Sequence, residues 1–174
     1  MNNYTCTLTD DGVEIALSSE EATLALGRAL GKALNRQWEH RSPMRAILMY
    51  GDLGSGKTTL TRGLVEALPG GENAEVASPS FTVCNAYPTR PPIVHCDLYR
   101  TQPGGGLPEE AENALEDTSR VGSCLLVEWA ERLRPEDIPA ERLDIRFKSC
   151  NESRLALFTP HGVAALWVLQ ELVR

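Results

Sequence analysis

The chain has 174 residues, 42% of them apolar and 24% charged, which is the balance of an ordinary globular domain. That balance excludes a disordered tail, a collagen-like chain and a coiled coil, and the length predicts a single domain over residues 1–174. Seventeen basic against 24 acidic residues leave a net charge of −7, which opposes nucleic-acid binding by the chain as a whole, because Lys and Arg supply most non-specific affinity for phosphate. The start, Met1-Asn2-Asn3-Tyr4-Thr5, carries no basic and then apolar leader pattern, and no apolar run reaches the roughly 18–20 residues that span a bilayer. The expected setting is cytoplasmic, with no membrane partner. Five cysteines (Cys6, Cys84, Cys96, Cys124, Cys150) form an odd set without Cys-x-x-Cys spacing, so neither a zinc site nor a disulfide scaffold is expected. Without a secretory route the sequon Asn151-Glu152-Ser153 reads as coincidence.

Along the chain, Ser18-Ser19-Glu20-Glu21 is a helix-capping signal, and Leu24, Leu26, Leu30, Ala33 and Leu34 continue it at helical spacing. A helix is predicted over about residues 19–36. Ala46-Ile47-Leu48-Met49-Tyr50 is a continuous apolar run, the pattern of a strand buried on both faces, as in a parallel sheet. A second helical pattern passes through Leu60, Leu64, Val65 and Leu68 and ends at Pro69-Gly70-Gly71. Residues 81–87 and 93–99 read as strands, 109–116 as an acidic helix and 124–129 as a buried strand closing on a carboxylate. Residues 143–147 and 154–158 alternate with period two, the signature of half-exposed antiparallel strands, and a helix is predicted over about 162–173.

The most specific signal is Gly51-Asp52-Leu53-Gly54-Ser55-Gly56-Lys57-Thr58, which satisfies G-x-x-x-x-G-K-[ST] between a buried strand and a helix. Glycines there allow backbone N–H groups to close on phosphate oxygens, and the following helix points its positive end at the same anion. Lys57 is expected to reach the β- and γ-phosphates, and the Thr58 hydroxyl to ligate magnesium. Such a metal also calls for an acid at the end of a neighbouring buried strand. Asp97 and Glu128 both qualify, and their spacing does not decide between them. Ser78-Pro79-Ser80-Phe81-Thr82 offers three hydroxyls in a loop before a strand. Trp129 is either core or an aromatic wall of the nucleotide site, and His95 reads as a packed strand residue without an assigned role.

Residues 51–59, Ser-Pro-Ser-Phe-Thr (78–82), His-Cys-Asp-Leu-Tyr-Arg (95–100) and Val-Glu-Trp (127–129) together resemble the TsaE (YjeE) family, from about residue 15 to 160. These are small P-loop ATPases of bacterial tRNA threonylcarbamoyladenosine synthesis. The resemblance implies an α/β, three-layer P-loop NTPase fold with a mostly parallel central sheet and antiparallel C-terminal strands. It implies ATP and magnesium as ligands, and a TsaD–TsaB pair as partner, with tRNA met only indirectly through that pair. It places Gly54, Ser55, Gly56, Lys57, Thr58 and Thr59 on the phosphates, and Thr58 with Glu128 on the metal. Asp97 and Lys57 take catalytic roles, and Asp97 and Trp129 also bound the ATP site, with Glu20 and Ser153 near the nucleoside. Ser80, Cys96 and Ala130 depart from the usual family residues, as does Gly104-Gly105-Gly106, while the chemical groups of the motifs are kept. The expected function is therefore slow ATP hydrolysis, stimulated by the partners. The competing readings are a small-molecule or nucleoside kinase, which needs an Arg-rich lid over the phosphates, and a non-hydrolysing ATP-dependent module.

Overall fold

A computed structural model describes residues 4–39, 43–78, 83–116, 122–150 and 153–174. Strands β1 (Tyr4–Thr9) and β2 (Gly12–Leu17) form an N-terminal hairpin before α1 (Glu20–Trp38). Then follow β3 (Ala46–Tyr50), α2 (Lys57–Glu66), β4 (Cys84–Tyr87), β5 (Ile93–Asp97), α3 (Glu109–Glu116) and β6 (Cys124–Glu128). The chain closes with β7 (Arg142–Cys150), β8 (Ser153–His161) and α4 (Val163–Leu172).

All eight strands join one sheet in the order β1-β2-β8-β7-β3-β6-β5-β4. Its middle, β7-β3-β6-β5, is parallel, while β4 on one side and β8, β2 and β1 on the other add antiparallel strands. Side chains of a strand alternate between faces. Ile47 and Met49 of β3 therefore enter the larger core beside Leu26, Leu30, Leu60, Leu64 and Val168, which come from α1, α2 and α4. Ala46 and Leu48 enter the smaller core on the opposite face, with Leu125, Val127 and Ala111 of α3. This is why the β3 run is apolar at four successive buried positions, and the result is a three-layer α/β fold.

Two features position the site. Ser19 caps α1 by accepting a hydrogen bond from the Ala22 amide at 3.1 Å. Helices α1 and α2 meet backbone to backbone at glycines: a Cβ on Gly27 would lie 2.3 Å from the Leu60 carbonyl oxygen, and one on Gly63 would lie 2.2 Å from that of Leu24. Any larger residue at either point would push α2, and with it the loop that opens α2, off its seat.

The elements predicted from sequence recur, with four differences. The β1–β2 hairpin had no expectation attached: β1 is mostly exposed, Leu8 included at 81%, and gives no apolar pattern, while Val13, Ile15 and Leu17 of β2 alternate as buried residues. Strand β7 is antiparallel only to β8; its other edge pairs parallel with β3, which makes it part of the central sheet. The run from residue 81 is a described strand only from Cys84, and Ser80 and Thr82 of the hydroxyl-rich loop lie outside the described residues. Finally, Cys84 and Cys96, register partners on β4 and β5, are joined by a disulfide against the expectation of none. Sequence spacing alone did not reveal that two cysteines 12 residues apart face each other across an antiparallel pair.

Candidate functional site

The loop from Gly51 to Gly56 leaves the C-terminal end of β3 and turns directly into α2. Gly54 and Gly56 hold φ of +75° and +109°, a region that L side chains rarely occupy. At Gly54 the space around a Cβ is open, so backbone conformation rather than crowding requires glycine there. Lys57, the first residue of α2, is 4% exposed and turns its ammonium back into the loop. Its Nζ donates to the carbonyl oxygens of Gly51 (2.6 Å) and Asp52 (2.8 Å) and stands 4.3 Å from the centre of the Trp129 ring. Burial holds its pKa below the ordinary lysine value, against the pull of Glu128, Glu131 and Asp97.

The ends of β5 and β6 face this loop. In register they pair Asp97 with Glu128. Glu128, 2% exposed, accepts a hydrogen bond from the Thr58 hydroxyl on Oε2 at 3.0 Å, and its Oε1 lies 2.9 Å from Nε2 of fully buried His95. Asp97 accepts from the Ser78 hydroxyl on Oδ2 and from the Tyr99 amide on Oδ1, the latter at 2.9 Å. Its own amide donates to the Val83 carbonyl at 2.9 Å, which ties the strand end to the entry of β4. Both flanks of this wall hold strained backbone: Val83 and Trp129 each sit at φ +61°, and for a β-branched residue that is a genuine outlier. The strain at Trp129 begins a single 3-10 turn over Ala130–Arg132 and lays the indole beside Lys57 and 4.9 Å from the Tyr99 ring.

A cleft of about 710 Å³ lies between the two walls. Lining it are Gly54, Ser55, Gly56, Lys57, Thr58 and Thr59 from the loop and α2, Asp97, Glu128 and Trp129 from the strand ends, Glu20 from α1, and Ser78. A second cleft of about 340 Å³ shares Glu20, Gly54 and Arg154 with the first and holds Ser153. Thus the structure gathers Glu20, residues 54–59, Ser78, Asp97, Glu128 and Trp129 into one cleft, while Ser153 lines its neighbour and Ser80 and Thr82 lie outside the described residues. Polar lining residues without an assigned role include Tyr99 and Arg100, which follow Asp97 in the chain, and Arg154 of β8, which lines both clefts. Arg154 gave no sequence signal, because only the β8–β2 pairing carries it to the loop.

Could these residues hold a metal? Among the described residues no three His, Cys, Asp or Glu converge as a metal-binding group. Thr58 Oγ1 and Glu128 Oε2 are nevertheless adjacent hard oxygen donors in a part-buried corner. That pair suits magnesium, which keeps several waters and takes its other ligands from substrate phosphates, and does not suit zinc.

The comparisons agree with one another. The family model for "Threonylcarbamoyl adenosine biosynthesis protein TsaE" matches residues 17–156. A tRNA threonylcarbamoyladenosine biosynthesis protein TsaE from Streptomyces coelicolor is 40% identical over 124 residues, 70% of this chain and 75% of that protein. Its Bacillus subtilis counterpart is 35% identical over 135 residues, 76% of this chain and 80% of the relative. The crystal structure of Bacillus subtilis YdiB superposes with a TM-score of 0.65 at 26% identity, covering 97% of this chain and 95% of that one. Matched by the family model over most of its length and by relatives at 35–40% identity, this chain belongs to the TsaE family, whose role lies in tRNA threonylcarbamoyladenosine biosynthesis.

Proposed function

We propose that this chain binds and hydrolyses ATP as an auxiliary subunit of tRNA threonylcarbamoyladenosine modification, acting in the cytoplasm with a TsaD–TsaB pair. The observation that supports this most is the facing of two walls across one cleft: a glycine loop with Lys57 and Thr58 opposite the carboxylates of Asp97 and Glu128. A site that only held nucleotide would need the first wall and not both acids of the second.

In this reading the backbone from Gly54 to Thr59 holds the phosphates. Lys57 exchanges a loop carbonyl for a phosphate oxygen, a trade that its buried, carbonyl-bound position favours once an anion is near. Thr58 and Glu128 would hold magnesium, which would supply positive charge against the phosphates. Asp97, kept in place by the Tyr99 amide and the Ser78 hydroxyl, orients the attacking water. Trp129 walls the site beside Lys57, while Glu20, which lines both clefts, and Ser153, which lines the second, are taken to meet the nucleoside. Arg100 and Arg154 add positive charge to the cleft. The tRNA is held by the partners, in keeping with the net charge of −7 on this chain.

Phosphate release from ATP in the presence of magnesium tests the reading. Turnover should be lost in Lys57→Ala and Asp97→Asn protein and should rise with the partner pair. Faster phosphoryl transfer to an added hydroxyl acceptor than to water would replace the hydrolase reading with a kinase.

A further inference from the structure

One buried polar side chain behind the cleft takes no part in the mechanism above. His95 is 0% exposed in the middle of β5, and Nε2 of its ring lies 2.9 Å from Glu128 Oε1. On the proposed reading Glu128 meets the metal as a carboxylate, which offers only acceptors, so Nε2 is the ring's donor toward it. Nδ1 is then an acceptor, and it is buried without a hydrogen-bond partner among the described residues. A polar atom left in that state costs free energy that an apolar side chain of similar size would not. Packing of the sheet therefore does not call for an imidazole at this position. Its single hydrogen bond to Glu128 does.

Strand geometry explains why the bond has a direction. Residues 95 and 97 point to the same face of β5, and register places them beside Leu126 and Glu128 of β6. From below, the ring takes Oε1 and leaves Oε2 facing the Thr58 hydroxyl at 3.0 Å. We propose that His95 is a positioning residue for magnesium: its Nε2–H locks the Glu128 carboxylate in the rotation that presents Oε2 beside Thr58. The inference rests on the reading of Thr58 and Glu128 as the pair that holds the metal. Donors behind a ligating carboxylate commonly change metal affinity by about 10–100-fold.

The test is ATP binding to the purified full chain, measured in EDTA and across a magnesium chloride titration, for wild type, His95→Leu, His95→Gln and Glu128→Gln. His95→Leu should bind ATP in EDTA within about twofold of wild type yet need roughly tenfold more magnesium for half-saturation. His95→Gln, whose amide N–H can still donate to Glu128, should recover a large part of that loss. Unchanged magnesium half-saturation in folded His95→Leu protein, with a clear shift in Glu128→Gln, would overturn the positioning role alone. An equal loss of ATP affinity in EDTA and in magnesium would also overturn it, because that marks a purely structural residue. No shift in Glu128→Gln either would sink the metal reading itself. If the leucine variant does not fold, His95→Met takes its place as the variant without a donor.

Discussion

One wall of the cleft is made of consecutive residues and the other of distant ones. Residues 51–58 form the first within a single strand-to-helix turn, and local backbone conformation at Gly54 and Gly56 does most of the shaping. In the second, Asp97 and Glu128 meet only because β5 and β6 pair in register, and Glu128 reaches Thr58 across 70 residues of sequence. The two walls also differ in what they offer. Backbone amides and one buried ammonium can grip any polyphosphate, whereas carboxylates held by His95, Thr58 and Ser78 can place a cation and a water. On the proposed reading affinity and chemistry fall to separable parts of this fold, so substitutions should separate them as well.

The largest effect is expected on the local wall. Lys57→Ala removes a charge-assisted contact worth about 2–3 kcal/mol, so ATP affinity should fall on the order of 100-fold with and without magnesium, as read by calorimetry. A loss confined to magnesium-containing buffer would break the division between walls. Asp97→Asn should sharpen it: turnover drops about 100-fold or more while ATP affinity stays within about threefold. In Glu128→Gln protein the affinity in EDTA is retained and the gain on adding magnesium falls roughly tenfold or more. The smallest effect on the site belongs to Cys84→Ser. Loss of the Cys84–Cys96 cross-link should lower stability by about 2–3 kcal/mol and the thermal midpoint by roughly 5–10 °C, with ATP affinity unchanged. Reductant should produce the same shift in wild type and none in the variant.

The same division governs how much could be read from the sequence. The first wall was fully legible, since its glycine spacing, its lysine and the flanking β3 and α2 patterns are all local. On the second wall, Asp97 and Glu128 could be nominated as strand-end acids, but the pairing of β6 with both β3 and β5 is what sets Glu128 beside Thr58 and beside Asp97, and the turn of Asp97 to Ser78 is seen only in the folded chain. His95 looked like a packed strand residue, which its burial agrees with; its contact with Glu128 is a property of register and has no local signature. Arg154 and the Cys84–Cys96 pair were hidden for the same reason. Strand β1 was illegible on different grounds, because an exposed edge strand of alternating threonines buries too little to leave an apolar pattern, whereas Val13, Ile15 and Leu17 of β2 do alternate.

Magnesium-dependent release of phosphate from ATP, by the purified chain alone and with the TsaD–TsaB pair, tests the proposed activity most directly. A low basal rate that rises on adding the pair, and is absent from the Asp97→Asn variant under both conditions, is the predicted result. Equal rates with and without the pair, or full activity in Asp97→Asn protein, would contradict the account.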